Sequence, residues 1–245
     1  MPVSGRDLYD DPRFFEGYHR LRQTGTGIND AIEIPALARL LPPVEGASVI
    51  DLGCGAGALA RRLAAAGAED VVAVDASERM LEAAAPHPKV RYVRADLETL
   101  TLPSSCADLA VSSMALHYVA DYPGLVRRIA DWLRPGGRLV FSHEHPVCTA
   151  HRLMPGWIPT GDGTIWPLDD YAAEGPRTQN WIIEGVVKYH RHTATLINAL
   201  LDAGLELTGI SEPAPDAAAL AARPALAEHL RRPPILVLAA QRAAP

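Results

Sequence analysis

The sequence predicts an α/β protein, a mostly parallel twisted sheet with helices packed on both faces. Three observations carry that expectation. From residue 47 onward, short apolar segments alternate with helical ones, the pattern of parallel strands joined by crossover helices. The stretch Val49-Ile50-Asp51-Leu52-Gly53-Cys54-Gly55-Ala56-Gly57 reads as a buried strand running into a glycine-rich turn and then a helix. Polar residues recur where the strands end, at Asp51, Asp75, Asp96, Ser112 and His143. In open sheets of this kind, ligands bind outside the carboxyl ends of the strands.

Composition narrows the function classes. The 245 residues suit a single domain over 1–245, ample for a full core. No apolar run approaches membrane-spanning length, and residues 1–7 lack the charged-then-apolar order of a signal peptide. Three widely spaced cysteines (Cys54, Cys106 and Cys148) argue for a reducing compartment, so a cytoplasmic protein is expected. The net charge is −6, and the Arg-Arg pairs at 61–62, 127–128 and 231–232 are scattered, each expected on a solvated face. No basic stripe is left for nucleic acid. The expected partner is a small molecule, with neither nucleic acid nor membrane.

Residues 1–46 read as helical cover. Asp11-Pro12 starts a helix, and Phe14, Phe15, Tyr18, Leu21 and Arg22 follow at helical spacing. Gly25-Thr26-Gly27 interrupts it, and a second helix over 32–41 stops at Pro42-Pro43. Phe14 and Phe15 suit packing on the core. Tyr18 and Arg22, one turn apart, suit a ligand carboxylate.

The core over 47–144 supplies five strands, at 48–52, 70–74, 90–94, 108–112 and 138–142. Helices are expected over 58–66, from Ser77 and over 122–133. Residues 145–190 break the alternation, and are too long and too aromatic for a plain connection. With Trp157, Trp166, Tyr171, Trp181 and Tyr189, they read as an insertion over the site, with one strand at 180–189. Its rings either wall an acceptor pocket or form the insertion's own core or a homodimer contact. Over 191–245, Thr193 caps a helix through Ala203, Gly204 ends it, and strands at 206–210 and 235–240 close the chain.

The glycine turn alone fits two cofactors. Gly53, Gly55 and Ala58 match dinucleotide spacing, and Asp75 stands about twenty residues on, where a ribose-binding acid is expected. Asp51 separates the two, because a carboxylate before the turn repels a pyrophosphate and attracts an ammonium group. With Asp51 included, this stretch resembles the first motif of class I S-adenosylmethionine-dependent methyltransferases, in the wording Ile-Asp-Leu-Gly-Cys-Gly-x-Gly. The resemblance runs over residues 49–146 and includes Leu133-Arg134-Pro135-Gly136-Gly137 before the fifth strand.

That resemblance implies a Rossmann-like sheet of seven strands, the last antiparallel, with S-adenosyl-L-methionine as cofactor. It places Asp51, Gly53 and Gly55 at the amino acid head, and Asp75 on the ribose diol. Ala76 and Met80 sandwich the adenine, and Asp96 with Leu97 meets its exocyclic amine. Ser112 stands at the fourth strand end, and Tyr18 and Arg22 close over the carboxylate.

His143-Glu144-His145-Pro146-Val147-Cys148, with His151 beyond, matches no closed zinc motif, so no metal is expected. General base is the better use. Methyl transfer is an in-line displacement in which the protein mainly aligns nucleophile, methyl and sulfur. A base is needed where the acceptor must lose a proton. The candidates are His117, His143, His145, Tyr189 and His190. Alternation along the strand puts His143 and His145 on one face and Glu144 on the other. Arg177 either clamps an acceptor carboxylate or, the preferred use, pairs with Glu174. The expected function is methyl transfer to O, N or an electron-rich C of a small aromatic metabolite. The alternatives are an NAD(P)-dependent oxidoreductase and a protein that binds S-adenosylmethionine without catalysis.

Overall fold

Val49, Ile50 and Leu52 leave almost no surface to solvent, as residues of a strand covered on both faces must. They belong to the first of five parallel strands: β1 (Ser48–Leu52), β2 (Asp70–Asp75), β3 (Val90–Arg94), β4 (Ala107–Ser112) and β5 (Leu133–Glu144). Two short hairpins follow, β6 (Ile158–Thr160) with β7 (Gly163–Ile165), and β8 (Gly175–Trp181) with β9 (Ile183–His190). The strands β10 (Leu205–Ser211) and β11 (Ile235–Arg242) complete a seven-stranded sheet of order β10-β11-β5-β4-β1-β2-β3. β11 runs antiparallel to both of its neighbours, β10 and β5. This computed structural model describes residues 3, 5–23, 25 and 27–244. Thr26 of the expected interruption, and Met1, Pro2 and Ser4 of the N-terminal reading, lie outside the described residues.

Alternation along the strands builds a core on each face. Ile50, Leu52, Ala110, Leu139 and Phe141 point to one, and Val49, Val71, Leu109, Val140 and Val237 to the other. The first core is covered by α6 (Tyr122–Trp132), reached after α1 (Gly5–Leu8), α2 (Pro12–Gln23), α3 (Ile34–Leu40), α4 (Ala58–Ala65) and α5 (Glu78–Glu82). Leu125, Val126 and Ile129 of α6 are fully buried, each contributing about 1.5–3 kcal/mol by removal from water. A short helix α7 (Pro146–Thr149), then α8 (Thr193–Asp202) and α9 (Ala217–Ala222), complete the set. No helix among the described residues is long and apolar enough to cross a membrane.

Four expectations need correction. The single strand at 180–189 is the hairpin β8–β9, turned at Ile182 with φ 59°. Its first arm, Gly-Pro-Arg-Thr-Gln-Asn-Trp, carries no apolar alternation to mark it. The fifth strand begins at Leu133, so the Pro-Gly-Gly turn is its irregular start, where the pairing with β4 shifts register. His192 is the N-cap residue of α8, without a side-chain bond, and Thr193 is already helical. The second N-terminal helix opens with a π-helical turn, Asn29–Glu33.

The N-terminal helices and the β8–β9 hairpin pack on each other. Leu8 and Phe14 form a small core with Val186 of β9, and the Phe14 and Trp181 rings meet edge to face at 5.2 Å. Val3 also bridges to Val186.

Candidate active site

The chain turns sharply after β1 because two consecutive N–H groups, Gly53 and Cys54, both donate to the Val74 carbonyl, at 2.8 and 2.9 Å. Gly53 has φ +74°, and a Cβ there would lie 2.3 Å from the Ala115 Cβ. Gly55, at φ +53°, has the opposite surroundings: a Cβ would meet nothing within 4 Å. It faces a cavity of about 1050 Å³ at the carboxyl ends of the strands. Gly55 N–H donates to Asp75 Oδ2 at 2.7 Å, and Ser77 N–H donates to Asp75 Oδ1 at 2.9 Å.

Asp51 lines the same cavity and is 1% exposed. Neither of its carboxylate oxygens has a hydrogen-bond partner among the described residues. Burial above all, with Asp75 and Glu33 nearby, pushes its pKa up to about 7. An ionised, unpaired carboxylate at such a depth is costly, and a cation beside it removes the cost.

Of the positions expected around the cofactor, Tyr18, Arg22, Asp51, Gly53, Gly55, Asp75, Ala76, Met80, Asp96 and Leu97 line this one cavity. Ser112 does not. It is fully buried, and its hydroxyl donates to the Leu52 carbonyl at 2.7 Å, a link between adjacent strands. Arg22 sits 3.7 Å from Asp30 Oδ2, and Asp96 Oδ1 accepts from Glu98 N–H at 2.9 Å.

Sequence reasoning missed Glu33. Its carboxylate is buried at the cavity wall and accepts from Ser113 Oγ at 2.6 Å, Ser142 Oγ at 2.7 Å and Asn29 Nδ2 at 2.9 Å. These bonds tie the π-helical turn to the ends of β4 and β5. The Asn29–Glu33 spacing of one helical turn was the only signal, and it is a common one.

The far side of the cavity is ringed by His117, Tyr118, Glu144, Cys148, Trp166, Trp181, Lys188 and Tyr189. Lys188 Nζ meets Glu144 Oε2 at 2.7 Å and stands 5.2 Å from the Trp181 ring centroid. Burial works against that ammonium, but the Glu144 carboxylate outweighs it and holds the pKa above its ordinary value. His117 is 2% exposed, with Nδ1 unpartnered. Burial, then the Lys188 charge, pushes its pKa well down, so its imidazole is neutral.

Comparison with known proteins follows the same lines. Residues 50–141 match a family model described as a methyltransferase domain. A crystal structure of an S-adenosylmethionine-dependent methyltransferase from Mesorhizobium loti superposes with a TM-score of 0.83 at 44% identity. It covers 88% of this chain and 100% of that one. An uncharacterized protein of Haemophilus influenzae is 34% identical over 96% of both chains. The trans-aconitate 2-methyltransferase of Deinococcus radiodurans is 36% identical over 134 residues, about half of each chain. The chain is an S-adenosylmethionine-dependent methyltransferase.

For a methyltransferase the glycine turn has one reading, and the cofactor is S-adenosylmethionine rather than a dinucleotide. The residues present fit it. The orphaned Asp51 oxygens suit the ammonium of its amino acid head, and the open side of Gly55 admits its body. Each Asp75 oxygen accepts one N–H and keeps a lone pair for a ribose hydroxyl.

The five candidate bases of this methyltransferase separate by position. His117 and Tyr189 line the cavity, while His143, His145 and His190 do not. His143 is fully buried with Nδ1 2.6 Å from the Glu144 carbonyl, and burial pushes its pKa down to about 3. His145 caps α7, accepting from Val147 N–H at 3.2 Å, and its Nε2 donates to Glu212 at 2.9 Å. His190 has both nitrogens engaged, by Tyr171 O and Thr149 Oγ1, each at 2.9 Å. His145 and His190 tie distant segments together, whereas His143 is enclosed in the sheet with its Nε2 unpartnered among the described residues. Arg177 neither pairs with Glu174 nor enters the cavity; it donates to the carbonyls of Ala150, Pro176, Asp170 and Ala173. Of the rings in residues 145–190, Trp166, Trp181 and Tyr189 line the cavity, while Tyr171 stacks on His192 at 5.2 Å.

Proposed function

We propose that this methyltransferase modifies an oxygen, nitrogen or electron-rich carbon of a small molecule with a flat, largely apolar body. The single observation that carries the reading is the cavity itself. At about 1050 Å³ it exceeds the span usual for one drug-sized ligand, about 300–1,000 Å³, and it runs without a break from Asp51 to the aromatic wall. One continuous space therefore accommodates cofactor and acceptor together.

When bound, the cofactor supplies a methyl group made electrophilic by its sulfonium. The protein's work is alignment and proton removal. Trp181, Tyr118 and Tyr189 offer flat faces that orient an aromatic body. His117, following β4 and held neutral, borders this space and is the group assigned to accept a proton from the attacking atom. Tyr9 and Tyr18, whose rings meet edge to face at 5.1 Å, bring the N-terminal helices over the same space.

The test is calorimetric titration with S-adenosylmethionine and S-adenosylhomocysteine, repeated on Asp75→Ala, followed by a screen for S-adenosylhomocysteine formation with phenols, amines and electron-rich rings. Binding lost in the mutant and turnover of an aromatic acceptor are expected. Cofactor binding with no product from any acceptor class would mean a non-catalytic binder instead.

A further inference from the structure

Beyond His117 the cavity reaches a cation that the proposed transfer does not use. Arg232, just before β11, lines it beside Cys148 and Trp166. Its guanidinium stacks 3.9 Å from the Trp166 ring centroid and lies 5.8 Å from that of Trp157. Trp157 is covered in turn by Arg231 at 4.4 Å, and Arg231 donates to Thr164 Oγ1 and O at 3.0 and 2.6 Å. Of the Arg-Arg pair expected on a solvated face, Arg231 is exposed, whereas Arg232 is half-buried against the Trp166 ring.

What Arg232 lacks among the described residues is an anion. Of its five N–H groups, the one engaged among the described residues is on Nη1, which donates to Cys148 Sγ at 3.0 Å, a weak acceptor. Its Nε is buried without a partner. The carboxylates on neighbouring elements are taken: Glu144 by Lys188 at 2.7 Å, and Glu212 by His145 at 2.9 Å. A planar, pre-stacked guanidinium with unspent parallel donors is the group that recognises a carboxylate in two-pronged fashion.

We infer that Arg232 binds a carboxylate carried by the methyl acceptor, remote from the atom that is methylated. The sheet sets the direction. Ile235 pairs with Glu144, so the start of β11 lies on the same edge as the ends of β4 and β5. From β4, which leads to His117, to β11 there are two inter-strand steps, about 10 Å. The acceptor is an aromatic acid whose nucleophile and carboxylate stand at opposite ends, toward β4 and β11. The inference rests on the reading that transfer takes place beside His117.

The experiment uses the full chain saturated with S-adenosylhomocysteine, titrated with 4-hydroxycinnamate and with its methyl ester as probes. The acid is expected to bind at least tenfold more tightly than the ester. In Arg232→Met that preference falls to within twofold, with ester and S-adenosylhomocysteine affinities unchanged. Arg232→Lys, which keeps the stem and charge but loses the planar fork, falls between; it decides the matter if Arg232→Met fails to hold S-adenosylhomocysteine. Equal binding of acid and ester, binding of neither probe, or a preference that survives in Arg232→Met overturns the inference. A wild-type protein that fails to bind S-adenosylhomocysteine fails the methyltransfer reading instead, before either probe is added.

Discussion

The Glu33 carboxylate accepts a hydrogen bond from the Ser142 hydroxyl at 2.7 Å, joining two residues 109 apart in the sequence. The same oxygen takes Ser113 Oγ, so one buried side chain fastens the N-terminal π-helical turn to the ends of two strands. Glu33→Ala leaves two hydroxyls short of a partner, at about 1–3 kcal/mol for each group left unsatisfied in the interior. Lower thermal stability and about tenfold weaker cofactor binding are expected, the latter read by calorimetry. Unchanged cofactor affinity would confine Glu33 to a role in folding.

The Asp51 pKa of about 7 lies above the ordinary carboxylate value because the group is buried. The folded protein therefore holds a proton that the unfolded chain has released between about pH 4 and 7, and stability falls as pH rises through that window. An ammonium beside Asp51 favours its ionised form. Cofactor binding should thus release a proton near neutrality, and affinity should rise about tenfold between pH 6 and 8. Calorimetry in buffers of different ionisation enthalpy checks this, and Asp51→Asn should abolish the release.

His117 lines the cavity, whereas His145 and His190 have their ring nitrogens committed to Glu212, Val147, Tyr171 and Thr149. His117→Asn should cut kcat about 100-fold on an acceptor that must lose a proton, with cofactor affinity unmoved. His145→Asn and His190→Asn should act on thermal stability, leaving kcat within a few-fold. Equal kinetic losses at all three would reject His117 as the base.

The Lys188 and Glu144 side chains are only 7% and 15% exposed. Lys188→Met strands a buried carboxylate, which costs about 3–5 kcal/mol. Adding Glu144→Gln removes the stranded charge and should restore at least half of that loss in denaturant titrations. A double variant no better than the single one would show that Lys188 acts through packing on Trp181.

Local chemistry made half of the site legible. The run from Val49 to Gly57 announces a buried strand, a tight turn and a helix within nine residues, and Asp75 and Met80 follow at near spacing. Such features depend on neighbours in the chain. Ser112 shows the limit: it ends a strand, as the other polar residues do, yet strand alternation turns its hydroxyl to the Leu52 carbonyl. The histidines fail for a similar reason. His143 shares a local motif with His145, but the interior closes around both, and a motif carries no information on burial.

The sequence by itself determined the core strands, the glycine turn and the strand-end acids Asp51, Asp75 and Asp96 that line the cavity, because strand period and turn chemistry are local. Tertiary structure alone decided that Glu33 joins two strand ends, that His117 and Tyr189 are the candidate bases lining the cavity, and that Arg232 lies stacked with no anion beside it among the described residues. Those three depend on which side chains from distant segments exclude water from one another. That is settled only when residues 145–190 and the N-terminal helices pack on the sheet.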